Sequence, residues 1–183
     1  AMRYIRGHPS DYDDWVNDGA DGWDWEACLP YFRAAEGNAR GASQWHGADG
    51  PLQVADQRQP CKITHAFVDA CESLGIARND DFNGPEQAGV GLYQVTQFHQ
   101  GPRKGERCSA AAAWLHPAMT RPNLSVITRA RADRITLDGK RATGVTFTRR
   151  GRQYHARARQ EVIVSGGAFG SPRLMMLSGI GPA

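Results

Sequence analysis

The run Gly167-Ala-Phe-Gly-Ser-Pro-Arg-Leu-Met-Met-Leu-Ser-Gly-Ile-Gly181 follows an apolar segment, Glu161-Val-Ile-Val-Ser165, and the junction between the two decides the fold at this end of the chain. The apolar segment predicts a buried strand, the glycines a turn, and the stretch beyond them a short helix. Ser171 is placed to cap that helix. Pro172 stands at its first position, where a missing N–H costs nothing, and Gly179 falls where a helix stops in a left-handed turn. Strand, glycine turn and helix N-terminus together form an anion-binding geometry. Small residues let backbone N–H groups approach a phosphate, and the helix dipole favours negative charge. The implied ligand is a nucleotide-like cofactor. Plain packing is a competing explanation of such a turn. Another is the helix-hairpin-helix of DNA-binding proteins, for which Leu177-Ser-Gly-Ile-Gly-Pro-Ala183 supplies the hairpin and a following helix would be required.

Upstream of this junction the pattern is a β-meander. Strands over residues 124–137 and 141–149 meet at Asp138-Gly139, a strong hairpin signal, and Arg150-Gly151 turns the chain into a strand over 153–159. The arginines between Arg129 and Arg159 alternate with apolar residues and lack interleaved stacking aromatics, so they read as a solvated strand face rather than a nucleic-acid patch.

The N-terminal two thirds are helical and loop-rich. Tyr12, Trp15, Trp23, Trp25, Tyr31 and Phe32 punctuate two short helical stretches divided by a Gly-Ala-Asp-Gly turn. In the second, over 24–35, Trp25, Cys28, Leu29 and Phe32 recur near helical spacing and read as core. A loop over 39–50 leads to a short strand at 51–55. An amphipathic helix follows over 63–74, with Ala66, Phe67, Ala70, Cys71 and Leu74 on its inward face and Gly75 as its stop. Residues 90–98 alternate like a half-buried strand, and Ser109 caps a helix over 110–119. The fold class expected is α+β: a helical and loop-rich N-terminal part with short strands (1–120), then an antiparallel meander and strand–glycine turn–helix (121–183).

Composition narrows the function classes. A chain of 183 residues with 40% hydrophobic and 22% charged residues is expected to be globular. No run reaches transmembrane length and no signal-peptide pattern opens the sequence, so the expected location is cytoplasmic. A net charge of +3 gives no argument for nucleic acid. The four cysteines, Cys28, Cys61, Cys71 and Cys108, contain no Cys-x-x-Cys, which removes zinc-ribbon and thioredoxin readings. Asn79-Asp-Asp-Phe-Asn-Gly84 imitates the start of a calcium loop, but Val90 stands where the bidentate glutamate belongs, so a turn is expected and no metal site.

Three separated blocks resemble one family, the glucose-methanol-choline oxidoreductases, flavoenzymes that use FAD. The terminal run resembles the family's second signature, including Ser171-Pro172, Leu174, Met175 and Ser178-Gly-Ile-Gly181. Ala1-Met-Arg-Tyr-Ile-Arg-Gly7 looks like the end of its flavin-contacting stretch. His46-Gly-x-x-Gly-Pro-Leu52, Asp81-Phe-Asn-Gly84, Tyr93-Gln-Val-Thr96 and Arg121-Pro-Asn-Leu124 resemble its alcohol and choline dehydrogenase branch.

The resemblance implies hydride transfer from an alcohol carbon to flavin N5, with choline or another alcohol as substrate and an aldehyde as product. It implies that Ala1 and Met2 face the flavin ring, that Ala132 approaches the adenine, and that Ser165, Gly166, Gly167 and Ala168 lie on the phosphate and ribose side of FAD. Here the sequence has Ser-Gly-Gly-Ala where the family usually has Ser-Ala-Gly-Ala. Two family segments are missing from this sequence: the Rossmann Gly-x-Gly-x-x-Gly and the segment that bears the catalytic histidine. The chain therefore reads as a central fragment, inactive and with FAD absent when isolated. None of its histidines matches the catalytic position, and His46, His65, His99 and His116 read as turn or surface residues, leaving no catalytic residue to assign. The alternatives are a non-catalytic binding or assembly module, with homodimerisation through the exposed face of the fragment as its corollary, and the helix-hairpin-helix nucleic-acid binder.

Overall fold

The structure, a computed structural model, describes residues 2–181 and divides into two compact units, residues 1–124 and 125–183. The α+β class holds: five α-helices accompany two three-stranded sheets among the described residues.

In the first unit, α1 (Pro9–Asn17) opens with a reciprocal cap. The His8 ring accepts from the Ser10 N–H, and the Asp11 carboxylate accepts from the His8 N–H at 2.7 Å. Helix α2 (Trp25–Ala35) is capped by Asp24, whose side chain accepts from the Ala27 N–H at 2.9 Å. Between the helices the aromatics gather as expected. Buried Tyr12 packs against Trp15, Trp25 and Phe32 with ring centroids 5.2–5.7 Å apart, in edge-on or tilted geometry that suits the ring quadrupoles.

The first sheet is small and mixed. Strand β1 (Glu36–Asn38) runs parallel to β2 (Leu52–Ala55), which pairs antiparallel with β3 (Val95–Thr96). The alternation over 90–98 thus yields only two strand residues plus isolated bridges at Val90 and Gln97. Helix α3 (Lys62–Ser73) ends at Gly75 as expected, but it is rotated so that of the expected face only Cys71 turns inward. Thr64, Val68 and Cys71 point into the unit, whereas Phe67 is 64% and Leu74 82% exposed. The helix carries two apolar stripes, and periodicity alone does not say which one meets the core. Ser109 caps the next helical segment, its hydroxyl accepting from Ala112 N–H at 3.2 Å. That segment is a π-helical turn, Ala111–Leu115, running into α4 (His116–Ala118), where Pro117 has no N–H to continue a regular ladder.

The second unit is the meander, β4 (Ala130–Asp138), β5 (Arg141–Arg149) and β6 (Arg152–Arg157), antiparallel throughout. Its first strand starts six residues later than the pattern suggested, after Arg129, which sits at a φ of +55° that a strand cannot contain. A bulge at Asp133 shifts the register of β4 against β5, and the Thr148 hydroxyl donates to the Asp133 carboxylate at 2.6 Å.

Helix α5 (Gly167–Leu177) follows, and two expectations fail here. Residues 161–165 are not a buried strand: Ile163 is 78% exposed, and among the described residues no strand pairs with this segment, so its backbone has no ladder to join. The helix also starts well before Pro172, which lies inside it. Ser171 is not the cap; its hydroxyl accepts from the Gly166 N–H at 2.8 Å. The helix stop is as expected. Gly179 takes φ +82°, its N–H donates to Met176 C=O and that of Ile180 to Met175 C=O, both at 3.0 Å, the doubly bonded Schellman ending. The Leu177–Gly181 hairpin of the helix-hairpin-helix reading is therefore this helix's C-terminal stop, and Pro182 and Ala183 lie outside the described residues. Ser178 fixes the helix to the sheet: its buried hydroxyl donates to Leu174 C=O at 2.6 Å and accepts from Ile135 N–H at 2.8 Å.

Candidate functional site

The unusual chemistry of the first unit is a polar core. Arg6, Glu36, Asn38, His46, Asn83 and Gln94 are all buried. The loop after β1 explains why they meet. Its Gly47 and Gly50 press against the end of α2, where a Cβ on Gly47 would overlap the carbonyl of Arg33 and one on Gly50 that of Ala35. The loop lies flat on β1: the Asn38 N–H donates to Gly47 C=O and the Gly50 N–H to Glu36 C=O, both at 2.9 Å. His46, just before Gly47, is thereby set on the Glu36 carboxylate.

The result is a chain of alternating charge. Arg6 Nη2 donates to Glu36 Oε2 at 2.6 Å, His46 Nδ1 lies 3.0 Å from Glu36 Oε1, and His46 Nε2 lies 2.9 Å from Asp81 Oδ2. Carboxylates only accept, so both ring nitrogens must donate, and His46 is an imidazolium. Asp81, then Glu36, pushes its pKa up to about 9 against the desolvation of burial, and His46 in turn holds Asp81 below the usual carboxylate range. A histidine that donates from both nitrogens has no lone pair to receive a proton, so His46 cannot act as a general base. His46 lies in a turn as expected but not at the surface, for it is only 7% exposed. His65 and His116 are exposed, and half-buried His99 has its Nε2 3.3 Å from Gly37 C=O.

Residues 2–7 run alongside this cluster. Met2 is half-buried; its C=O accepts from Thr96 N–H at 2.8 Å, and the Tyr4 N–H donates to Gln94 C=O at 2.9 Å. An open cleft of about 460 Å³ beside Met2 is lined by Gln57, Arg58, Val95, Gln97 and Gly105 among others. Ala1 lies outside the described residues.

The remaining candidate positions belong to the second unit. Ala132 is exposed on β4, paired with Phe147 and next to the bulge. Residues 165–168 are all exposed. Gly167 begins α5 at φ +81°, with nothing near its missing Cβ. The Gly166 cap position has no side chain to satisfy the first-turn N–H groups, so they remain open to an outside acceptor. A phosphate fits that turn. The hydrogen bonds of α5 to β4, Ser178 to Ile135 and Arg134 Nε to Leu177 C=O, lie at the C-terminal end of the helix, about 15 Å from Gly167.

Missed from the sequence were Arg6, Glu36, His46 and Asp81 as one assembly. The signal present was that His46-Gly-x-x-Gly and Asp81-Phe-Asn-Gly each put a charged residue at a glycine turn.

Known proteins bear directly on this arrangement. A family model described as GMC oxidoreductase matches residues 1–183. The chain is 45% identical over 183 residues to mitochondrial choline dehydrogenase of Homo sapiens, covering all of this chain and 30% of that protein. Among solved structures, pyridoxine 4-oxidase from Mesorbium loti superposes with a TM-score of 0.85 at 35% identity, over all of this chain and 35% of that one. An FAD-dependent oxidoreductase from Chaetomium thermophilum gives a TM-score of 0.87 at 25% identity, over all of this chain and 33% of that one. The chain thus spans about a third of the length of the proteins it resembles. With the model matched from first residue to last, the chain belongs to the GMC oxidoreductase family.

Proposed function

We propose that this chain supplies part of an FAD-dependent oxidoreductase acting on CH–OH groups, which in its full-length form oxidises choline or a related primary alcohol to the aldehyde. The observation that carries the reading is the start of α5: exposed, glycine-lined and without a side-chain cap, in a chain matched throughout by the family. In this reading the open backbone N–H groups of Gly167 and Ala168 bind the phosphate side of FAD, with Ser165 and Gly166 beside them, and Ala132 lies by its adenine. Met2 faces the ring, and residues 1–120 otherwise contribute to the substrate side. FAD when bound supplies the hydride acceptor. The chain's own contribution is to bind and orient. Unpaired thiols at all four cysteines support a reducing compartment such as the cytoplasm.

The test is Gly167→Val in the full-length protein. A β-branched residue at φ +81° is strained and its side chain projects where the phosphate would approach. The variant should purify with far less bound flavin, read from visible absorbance per protein. Undiminished flavin content would refute the placement.

A second reading, an assembly module, draws on the exposed Ile63 and Phe67 of α3 and Leu74 at its C-terminal cap. It expects self-association of the chain, and a monomer in sedimentation at high concentration would refute it.

A further inference from the structure

The polar core does more than neutralise itself, because both of its arms end on the lead-in, one on the Arg6 side chain and the other on the backbone of Tyr4 and Arg6. One arm runs from His46 through Glu36 to the guanidinium of Arg6, which also donates to Trp45 C=O at 2.7 Å. The other runs from His46 through Asp81, whose Oδ1 accepts from Asn83 N–H at 3.1 Å. Asn83 then takes the lead-in by both sides of its amide: Oδ1 accepts from Arg6 N–H at 2.8 Å, and Nδ2 donates to Tyr4 C=O at 3.2 Å. Gln87 closes the same turn, donating to Arg6 C=O at 3.0 Å. Residues 2–7 form no strand or helix beyond a single bridge at Arg3. Backbone bonds to Gln94 and Thr96 hold one edge of this stretch, side chains from distant parts of the unit hold Tyr4 and Arg6, and His46 is where the two arms cross.

We propose that His46 is a positioning residue: by holding Glu36 and Asp81 at once it fixes residues 4–6 and thereby aims Met2 toward the flavin. The inference rests on the functional reading above, in which the Met2 stretch faces the ring. The charge pattern supports it. Arg6 and His46 are two cations facing two anions, Glu36 and Asp81, while Tyr4 lies beside Arg6 from the lead-in and Arg40 and Asp56 form a separate outer pair at 2.8 Å. A neutral ring carries one N–H and would leave one carboxylate facing a lone pair, releasing one arm. His46→Gln imitates that loss without opening a large cavity.

The experiment uses the full-length flavoprotein. His46→Gln should still purify with flavin, since the α5 turn is untouched. It should speed amide exchange at Tyr4 and Arg6 by at least about tenfold, alter the visible circular dichroism of the flavin, and lower kcat by about ten- to a hundredfold with KM changed much less. Asn83→Ala, which cuts one arm without altering the charges, should move the same three readouts in the same direction. It decides the matter if His46→Gln does not fold. Unchanged amide exchange and flavin dichroism in a folded variant, with only the melting temperature lowered, would overturn the proposal. A wild-type protein that binds no flavin refutes the functional reading instead, and the exchange rates at Tyr4 and Arg6 then decide the clamp alone.

Discussion

Stability of the first unit should fall steeply in mild alkali, and His46 should be the reason. Its pKa rises from 6.5 to about 9 in the folded chain, chiefly through Asp81 and then Glu36. At 1.36 kcal/mol per unit that corresponds to about 3 kcal/mol of stability. Asp81's lowered pKa describes the same contact from the other side and is not counted again. A histidine whose folded pKa exceeds its unfolded one holds its proton more tightly when folded. The contribution is therefore whole below about pH 6.5, and it is lost as pH rises through about 9. All five tryptophans, Trp15, Trp23, Trp25, Trp45 and Trp114, lie in residues 1–124, so their fluorescence reports this unit alone. Urea unfolding of wild type and His46→Gln should be followed by that signal from about pH 6 to about pH 10. The difference in unfolding free energy should shrink by about 3 kcal/mol across that range, because glutamine does not titrate. Parallel pH curves for the two proteins would refute the charge assignment.

Gly47→Ala should prevent the first unit from folding or destabilise it by more than about 3 kcal/mol, seen as loss of the fluorescence transition, since the new methyl would overlap the Arg33 carbonyl. Ser178→Ala leaves the buried Ile135 N–H without its acceptor and should cost about 1–3 kcal/mol, with faster hydrogen exchange at Ile135 as the local readout. In the folded chain Cys61, which is exposed, should react readily with a thiol reagent, while fully buried Cys108 should react only after unfolding.

What the sequence discloses is what local chemistry decides. The Gly-Ala-Asp-Gly turn between α1 and α2, the Asp138-Gly139 hairpin and the Gly179 helix stop each depend on a few adjacent residues, and each appears where its residues place it. Strands are less legible, since alternation says that a segment can pair and not that an edge awaits it. Residues 90–98 and 161–165 both alternate or run apolar, yet one pairs over two residues and the other over none among the described residues. The polar core is least legible. His46 meets Glu36 ten residues back and Asp81 thirty-five residues on, and no periodicity connects such positions. Two glycines that tolerate no side chain are what bring them together, and the glycine spacing in His46-Gly-x-x-Gly was the clue to a close backbone approach.

The whole-chain charge of +3 conceals a division that bears on the ligand. Residues 125–183 contain eleven arginines and lysines against three acidic residues, a net +8, while residues 1–124 contain eleven against sixteen, a net −5. Most of the basic side chains on the meander are exposed, and Arg131 already has a partner in Asp133 at 2.9 Å. A surplus of that size on so small a unit destabilises it by self-repulsion unless an anion offsets it. The same unit carries the uncapped start of α5, whose backbone N–H groups and dipole also favour negative charge. The unit's excess charge and its open helix end thus favour the same kind of ligand, an anion. The first unit, acidic overall, meets its buried charges with its own side chains. The two units therefore handle charge by different physics: the meander and α5 present an unbalanced positive field and open backbone donors, whereas the first unit closes its buried charges on one another.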